Sequence, residues 1–320
     1  FLRYNFQKKV LGRISVNSYF KTNPMSFLLG FCLVWGCAIP NPCSAINVKY
    51  QFIDFPNLIN FNSISFSPSG KYLAASATLY EPESKYNSEI VGIWNVDPLT
   101  LQKTYTETIG PLFVQYGISD QQLVTWGYGI PITVHSLPSY EIEFKIDRFD
   151  VLCLEVNPST HHLAIGTNQE PGMVIIYDLS SGERIQEFPA HRSAIASIDI
   201  STDGKYILTT DSEGYTRSWE ADSGLMIKEY IRSDVDRIEK ISDITSRFSD
   251  DFSYVMIGGI NIFKIIDIAT DRIVKQFDLY RHISDIDSSP DGKRAYATGW
   301  DGYLFDLENL EILHENIVSL

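Results

Sequence analysis

The chain has 320 residues, 44% of them apolar and 13% aromatic, with 26 Lys and Arg against 40 Asp and Glu. A formal charge of −14 argues against a nucleic-acid partner, because affinity for a phosphate backbone rests on basic patches that displace counterions. The same charge favours colloidal solubility and suits cationic partners.

The charge is uneven along the chain. Residues 1–45 contain Arg3, Lys8, Lys9, Arg13 and Lys21 and no acid, which leaves 21 of the 26 basic residues to face all 40 acidic ones. Met25 to Ile39 is an apolar run, too short for a comfortable membrane span, with Lys21 before it and Cys43, Ser44 and Ala45 after it. A basic flank, an apolar stretch over about 26–39 and small residues before a cut describe a secretory signal peptide, with cleavage expected after Ala45. Three other readings stand beside it. Cys37 would be the acylated residue of a lipoprotein leader, the acid-free segment would be a transit peptide, or the run would pack on the domain as a strand or helix. Removal of the leader takes Cys32, Cys37 and Cys43 with it. Cys153 then remains, a small buried hydrophobe by its place in an alternating stretch. The expected location is secreted, periplasmic or cell envelope, with lipid-anchored or intracellular as the alternatives. Membrane contact is expected only through the leader or a lipid anchor.

From residue 46 onward one turn keeps returning. It reads Ser67-Pro68-Ser69-Gly70-Lys71, Asn157-Pro158-Ser159-Thr160, Ser201-Thr202-Asp203-Gly204-Lys205 and Ser289-Pro290-Asp291-Gly292-Lys293. Ser119-Asp120-Gln121-Gln122 and Ser249-Asp250-Asp251 read as weaker copies, giving steps of 52, 38, 44, 48 and 40 residues. A period near 40 with several strands per unit marks a β-propeller, so residues 46–320 read as one all-β domain of four-stranded antiparallel blades.

The blades follow in order. Blade one runs from about Asn62 to Glu107, with a long inserted loop from Tyr80 to Ser88 between its second and third strands. Blade two runs from Gly110 to Ile146 and blade three from Phe149 to Pro189. Blade four is the clearest. Ala194 to Ile200 alternates, Thr202-Asp203-Gly204 turns, Tyr206 to Thr210 returns, Tyr215 to Trp219 is the third strand and Leu225 to Tyr230 the fourth. Blade five spans Asp234 to Tyr280 and blade six Arg281 to Glu315. That makes six complete blades. Val48 to Phe55 is an additional strand, which either joins blade six beside Glu311 to His314 or is the remnant of a seventh blade.

The turn, the period and the aromatic-acid strand ends resemble the WD-repeat family. The resemblance covers residues from about 47 to 320. Family members carry Gly-His before the first strand and Trp-Asp at the end of the third. Here His191 and His282 follow Ala190 and Arg281, Trp219 precedes Glu220, Trp94 precedes Asn95, and Tyr177 precedes Asp178. Glu213 stands where the family's turn Asp would be, so the family's His-Ser/Thr-Asp-Trp hydrogen-bond network is expected to be incomplete. His191 and His282 read as structural.

A propeller fixes a scaffold and not a chemistry. The chain shows no nucleophile elbow, no His-Glu-x-x-His and no phosphate-cradling loop, so no catalytic, cofactor or metal residues are assigned. Asp199 to Gly204 and Asp287 to Gly292 resemble calcium loops but have Thr210 and Thr298 where the bidentate Glu belongs. His161 and His162 are adjacent, and successive strand positions point to opposite faces. The acidic run from Ser233 to Glu239, with Asp243, Asp250 and Asp251, reads as a solvated loop and edge. The expected function is a non-catalytic scaffold that binds a protein or peptide through one disc face. The candidate contacts are Tyr80, Tyr86, Trp126, Tyr128 and Trp300. Wedging between blades is the alternative role for these aromatics. A hydrolase or quinone-cofactor dehydrogenase with its site at the central channel, or a sugar or small-ligand binder, is the rival function.

Overall fold

The computed structural model describes residues 58–80, 88–107, 112–127, 129–230, 244–279, 282–289, 291–299 and 302–315. The leader, the strand expected at Val48 to Phe55, the acidic run up to Asp243, Tyr86, Tyr128 and Trp300 lie outside the described residues.

Among the described residues the structure is entirely β, arranged as a six-bladed propeller of four-stranded antiparallel sheets. Blade one comprises β1 (Leu58–Phe66), β2 (Tyr72–Leu79), β3 (Ser88–Val96) and β4 (Leu99–Glu107). Blade two comprises β5 (Phe113–Tyr116), β6 (Gln122–Gly127), β7 (Ile130–Ser136) and β8 (Glu141–Ile146). Blade three comprises β9 (Val151–Asn157), β10 (His162–Thr167), β11 (Gly172–Asp178) and β12 (Arg184–His191). Blade four comprises β13 (Ile195–Ile200), β14 (Tyr206–Asp211), β15 (Thr216–Glu220) and β16 (Met226–Tyr230). Blade five comprises β17 (Thr245–Phe248), β18 (Tyr254–Gly259), β19 (Ile262–Asp267) and β20 (Arg272–Asp278), and blade six β21 (Ile283–Ser288), β22 (Arg294–Gly299), β23 (Gly302–Asp306) and β24 (Glu311–His314). Each blade is sequential, as the sequence predicts, with the six blade assignments in their expected places.

The repeated turn closes the first hairpin of each blade. The N–H of Ser67, Ser201, Ser249 and Ser289 donates to the carbonyl five residues on. In blade two the residue that makes this bond is Gly117, donating to Gln122 O at 2.8 Å, so the turn starts two residues before the expected Ser119. With Gly117 in place of Ser119 the first two steps become 50 and 40 residues. Degeneracy of the turn sequence, with no Pro or Gly after Ser119, hid the true start.

The core sits between blades. On the inner strands, alternate residues turn back onto the preceding blade: Val114 and Tyr116 onto blade one, Ile198 and Ile200 onto blade three, Phe248 onto blade four. Second- and third-strand residues fill both interfaces of their blade. Leu163, Ile165 and Ile175 pack toward blade two, whereas Ala164, Val174 and Ile176 pack toward blade four. These near-continuous apolar runs follow from a sheet covered on both faces. Each fully buried Leu, Ile or Val there contributes about 1.5–3 kcal/mol.

Candidate functional site

The other face of each inner strand turns toward the next blade and the channel. Register makes the comparison exact in position: the residue two before each turn start pairs with the residue nine further on in every blade. Those six positions hold Ser65, Gln115, Glu155, Asp199, Arg247 and Asp287, one polar or charged side chain from every blade.

These side chains hydrogen-bond the blades to one another. Ser65 Oγ accepts the Tyr116 N–H at 2.9 Å, and Asp199 Oδ2 accepts the Phe248 N–H at 2.7 Å. One layer further from the turn, Ser63 Oγ accepts the Val114 N–H at 2.7 Å and Ser197 Oγ the Ser246 N–H at 3.2 Å. Cys153, in the same layer, donates to Ile195 O at 3.3 Å, and burial pushes its thiol pKa up. Backbone groups that a sheet would pair are thus paired between sheets, as buried N–H groups must be.

Arg247 is the hub of the channel. Its Nη1 donates to Glu155 Oε2 and to Asp199 Oδ1, both at 2.8 Å, and its Nε donates to Ile286 O at 3.1 Å. Gln115 Nε2 donates to Glu155 Oε1 at 2.9 Å. One connected set of bonds therefore joins blades two, three, four, five and six. The set is acid-rich, because Asp285 and Asp287 add their charge to Glu155 and Asp199 around a single guanidinium. Burial pushes Glu155 up to about 7, assisted by the Asp199 charge and opposed by Arg247. Burial likewise holds Asp285 at about 6, and burial with the Asp287 and Asp199 charges holds Asp250 at about 6. Sequence reading missed this set, although the signal was present: a charged residue two places before the turn start in four of six inner strands.

Blade four holds a second buried network. His191, at the end of β12, approaches Asp211 Oδ2 through Nδ1 at 3.1 Å and Thr209 Oγ1 through Nε2 at 2.7 Å. Trp219 Nε1 donates to the same Thr209 Oγ1 at 2.8 Å. Burial would raise the Asp211 pKa, but bonds from His191 and the Tyr215 N–H bring it below the usual carboxylate range. An ionised Asp211 assigns the proton to His191 Nδ1, which leaves Nε2 to accept from the Thr209 hydroxyl. The family network expected to be incomplete is therefore complete in this blade. Its acid is Asp211, two residues before Glu213, and the chain turns back on it with the Glu213 and Tyr215 N–H groups donating to Asp211 Oδ1 at 3.0 and 2.9 Å. Blade two keeps half of it, with His135 at the Trp219 register position and its Nε2 3.0 Å from Thr125 Oγ1. Blade six has Gly299, Ala297 and Phe305 at the positions of Asp211, Thr209 and Trp219.

The predicted contact residues separate. Tyr80 follows β2 at the end of the disc away from the repeated turn and is 57% exposed. Trp126 is 8% exposed, stacked on Phe113 at 5.6 Å between centroids, inside the core that joins blades two and three. Its ring is therefore packed between the two blades. Phe149, Leu152 and Ile260, which were not singled out, are exposed at the same loop-bearing end as Tyr80. Of the other flagged groups, His161 in the turn before β10 meets Ser180 Oγ in the turn after β11 at 2.9 Å, while His162 begins β10. Asp199 faces the channel while Asp203 accepts from Ser201 Oγ in the turn at 2.8 Å, so the two acids of the loop sequence serve different ends of it.

Comparison with known proteins agrees with this geometry. The family model described as WD domain, G-beta repeat matches residues 182–220. That stretch runs from the outer strand β12 through β15, so the repeat in sequence straddles two blades and contains the whole His191–Thr209–Asp211–Trp219 network. Human WD repeat-containing protein 36 is 25% identical over 166 residues, 50% of this chain and 17% of that protein. Transcription initiation factor TFIID subunit 5 of Caenorhabditis elegans is 30% identical over 71 residues, 22% of this chain and 11% of that protein. The chain thus spans less than a fifth of the length of either relative. In blade arrangement, buried network and these matches, it resembles the WD-repeat β-propellers.

Proposed function

We propose that the protein is a non-catalytic scaffold that docks a protein or peptide partner on the loop-bearing end of its disc. One observation carries this reading. Glu155 and Asp199 are taken up in blade-to-blade bonds with Arg247 and the Phe248 N–H, while Tyr80, Phe149, Leu152 and Ile260 stand exposed at the loop-bearing end. Large side chains of this kind make efficient binding hot spots. The test is affinity capture from the native host with wild-type chain and with Tyr80→Ala combined with Phe149→Ala. A stoichiometric partner that the double variant loses supports docking at this end. A partner retained by the double variant, or turnover of a co-purified small molecule lost with Glu155→Gln, overturns it in favour of another surface or of a channel enzyme.

The same proposal takes residues 1–45 as an export leader, supported by their acid-free composition and apolar run. N-terminal sequencing of protein recovered outside the cell membrane is expected to begin at Ile46. Intracellular protein that retains the segment overturns that part.

A further inference from the structure

Five of the six junctions between blades share an apolar cluster drawn from both neighbours. The junction of blades six and one differs. Leu73, Ala75, Ala77, Trp94 and Val96 form the cluster on the face of blade one turned away from blade two, and every described residue packed there belongs to blade one. They are covered all the same, with Leu73, Ala75 and Ala77 fully buried and Trp94 4% exposed. Across the junction, Leu304 of β23 alternates with Tyr303 and Phe305, which pack toward blade five, so Leu304 faces blade one. It is 2% exposed yet is not part of the blade-one cluster.

Hydrogen bonding breaks off at the same place. Ser65 and Asp199 each accept an N–H of the following blade, whereas Asp287, at their register position, accepts the N–H of its own neighbour Ser288 at 2.9 Å. One layer further from the turn, Asp285 accepts from Ile286 N–H at 2.9 Å where Ser63 and Ser197 accept from the next blade. Among the described residues no hydrogen bond joins blade six to blade one. Phe66 is 42% exposed, while Tyr116, Val156, Ile200 and Phe248 at its position on their blades are buried. Blade one therefore buries an apolar face without an apolar side chain of a described neighbour against it, and such a face is kept from water only by other apolar groups.

We infer that Val48 to Phe55 fills the junction of blades six and one. The segment is joined to β1 by Pro56 and Asn57 alone, so it starts beside this junction. In an extended chain Val48, Tyr50 and Phe52 fall on one face and Ile53 and Phe55 on the other, a pattern that suits burial between two sheets rather than on one. The other segments outside the described residues fit less well. Residues 81–87 and 231–243 are polar or charged, and 316–320 is short and leaves blade six from its outer strand. This placement sets the segment between two blade faces and not along the outer edge of β24. It is independent of the docking proposed at the loop-bearing end.

The test uses the full chain with Phe52 replaced by the photo-cross-linker p-benzoylphenylalanine, a para-substituted phenylalanine, and maps the cross-links by mass spectrometry. They are expected at Leu73 to Ala77, at Trp94 or at Leu304. Cross-links confined to Glu311 to His314 overturn the inference by giving the segment to the edge of β24. Cross-links to a second copy of the chain, or none within the chain, overturn it too. Hydrogen exchange on the full chain gives a second readout that needs no bulky residue. Tyr50→Ala with Phe52→Ala is expected to speed exchange of the Leu73 to Ala77 amides by at least about tenfold, and to leave β13 and β14 of blade four unchanged. Unchanged exchange at Leu73 to Ala77 overturns the inference.

Discussion

Arg247 Nη1 lies 2.8 Å from Glu155 Oε2, a bond between inner strands 92 residues apart that skips over blade four to join blades five and three. The same nitrogen also holds Asp199 of the skipped blade. A single guanidinium thus fixes three inner strands, because its planar fork offers several donors in one plane where an ammonium offers a point charge. The arrangement couples assembly of the disc to one side chain.

Arg247→Met is expected to destabilise the propeller by roughly 3 kcal/mol, since it leaves Glu155 and Asp199 facing each other without their counter-charge. The figure is the low end for breaking a buried pair, because 27% of the Arg247 side chain remains in solvent. Urea denaturation measures it. Glu155→Gln in the same chain is expected to restore part of the loss by removing one of the opposed charges. An Arg247→Met chain as stable as wild type rules out the hub.

The acid-rich channel sets the direction of pH dependence. Glu155 is held at about 7 in the folded protein, and Asp285 and Asp250 at about 6. Unfolded carboxylates titrate at about 4. Between those values the folded chain binds more protons than the unfolded one, so stability falls as pH rises. The contribution is complete below the unfolded value and is lost as pH climbs through the folded values. Tm is therefore expected to rise on acidification from about pH 8 to about pH 5.5, and Glu155→Gln is expected to flatten the part of that slope near about pH 7. Thermal melts followed by circular dichroism across this range check both, and a Tm that drops on acidification contradicts the assignment.

Thr209 sits between two ring nitrogens, His191 Nε2 and Trp219 Nε1. Thr209→Val keeps the shape and withdraws the shared hydroxyl, leaving two buried polar atoms without it. Each such loss costs about 1–3 kcal/mol, so a total of roughly 2–6 kcal/mol is expected. Thr125→Val in blade two withdraws a hydroxyl from one ring nitrogen rather than two and is expected to cost about half as much. Equal costs for the two variants in denaturant titration contradict the shared-hydroxyl reading.

Fold and site were legible to different depths. Turns announce themselves locally, because Ser-Pro-Asp-Gly-Lys at 289–293 encodes its own hairpin, and the blade count followed from spacing alone. Gly117 was missed because its turn relies on a backbone bond that any sequence can make. Asp211 was missed because the family position was counted along the sequence, whereas its role depends on the reversal at Glu213 and Tyr215. Exposure was least legible. Trp126 and Tyr80 are both aromatics near the same end of their blades, and only packing against Phe113 separates the wedge from the surface residue. The Arg247 hub required the ring itself, since bonds across the channel depend on which inner strands lie close in space.

Two glycines of the repeated turn face different constraints from a third. Gly204 and Gly292 have φ of +72° and +66°, and a Cβ on either would lie 2.5 Å from Thr160 Cγ2 or 2.4 Å from Asp251 Cγ on the preceding blade. Gly70 has φ of +71° with nothing within 4 Å of such a Cβ. All three substitutions to Ala incur the left-handed backbone cost of about 1–2 kcal/mol. Gly204→Ala and Gly292→Ala must also push the neighbouring blade's turn away, which overpacked sites typically resist at a further 1–3 kcal/mol. Asp251 is the harder neighbour to move, because its Cβ would itself lie 2.7 Å away, against 3.0 Å for Thr160 Cβ, and its carboxylate accepts from Ser249 Oγ and Ser253. The expected order of destabilisation is therefore Gly292→Ala, then Gly204→Ala, then Gly70→Ala. Denaturation midpoints of the three variants check that order, and a Gly70→Ala chain as unstable as Gly204→Ala shows that the turn conformation alone, without the contact between blades, selects glycine here.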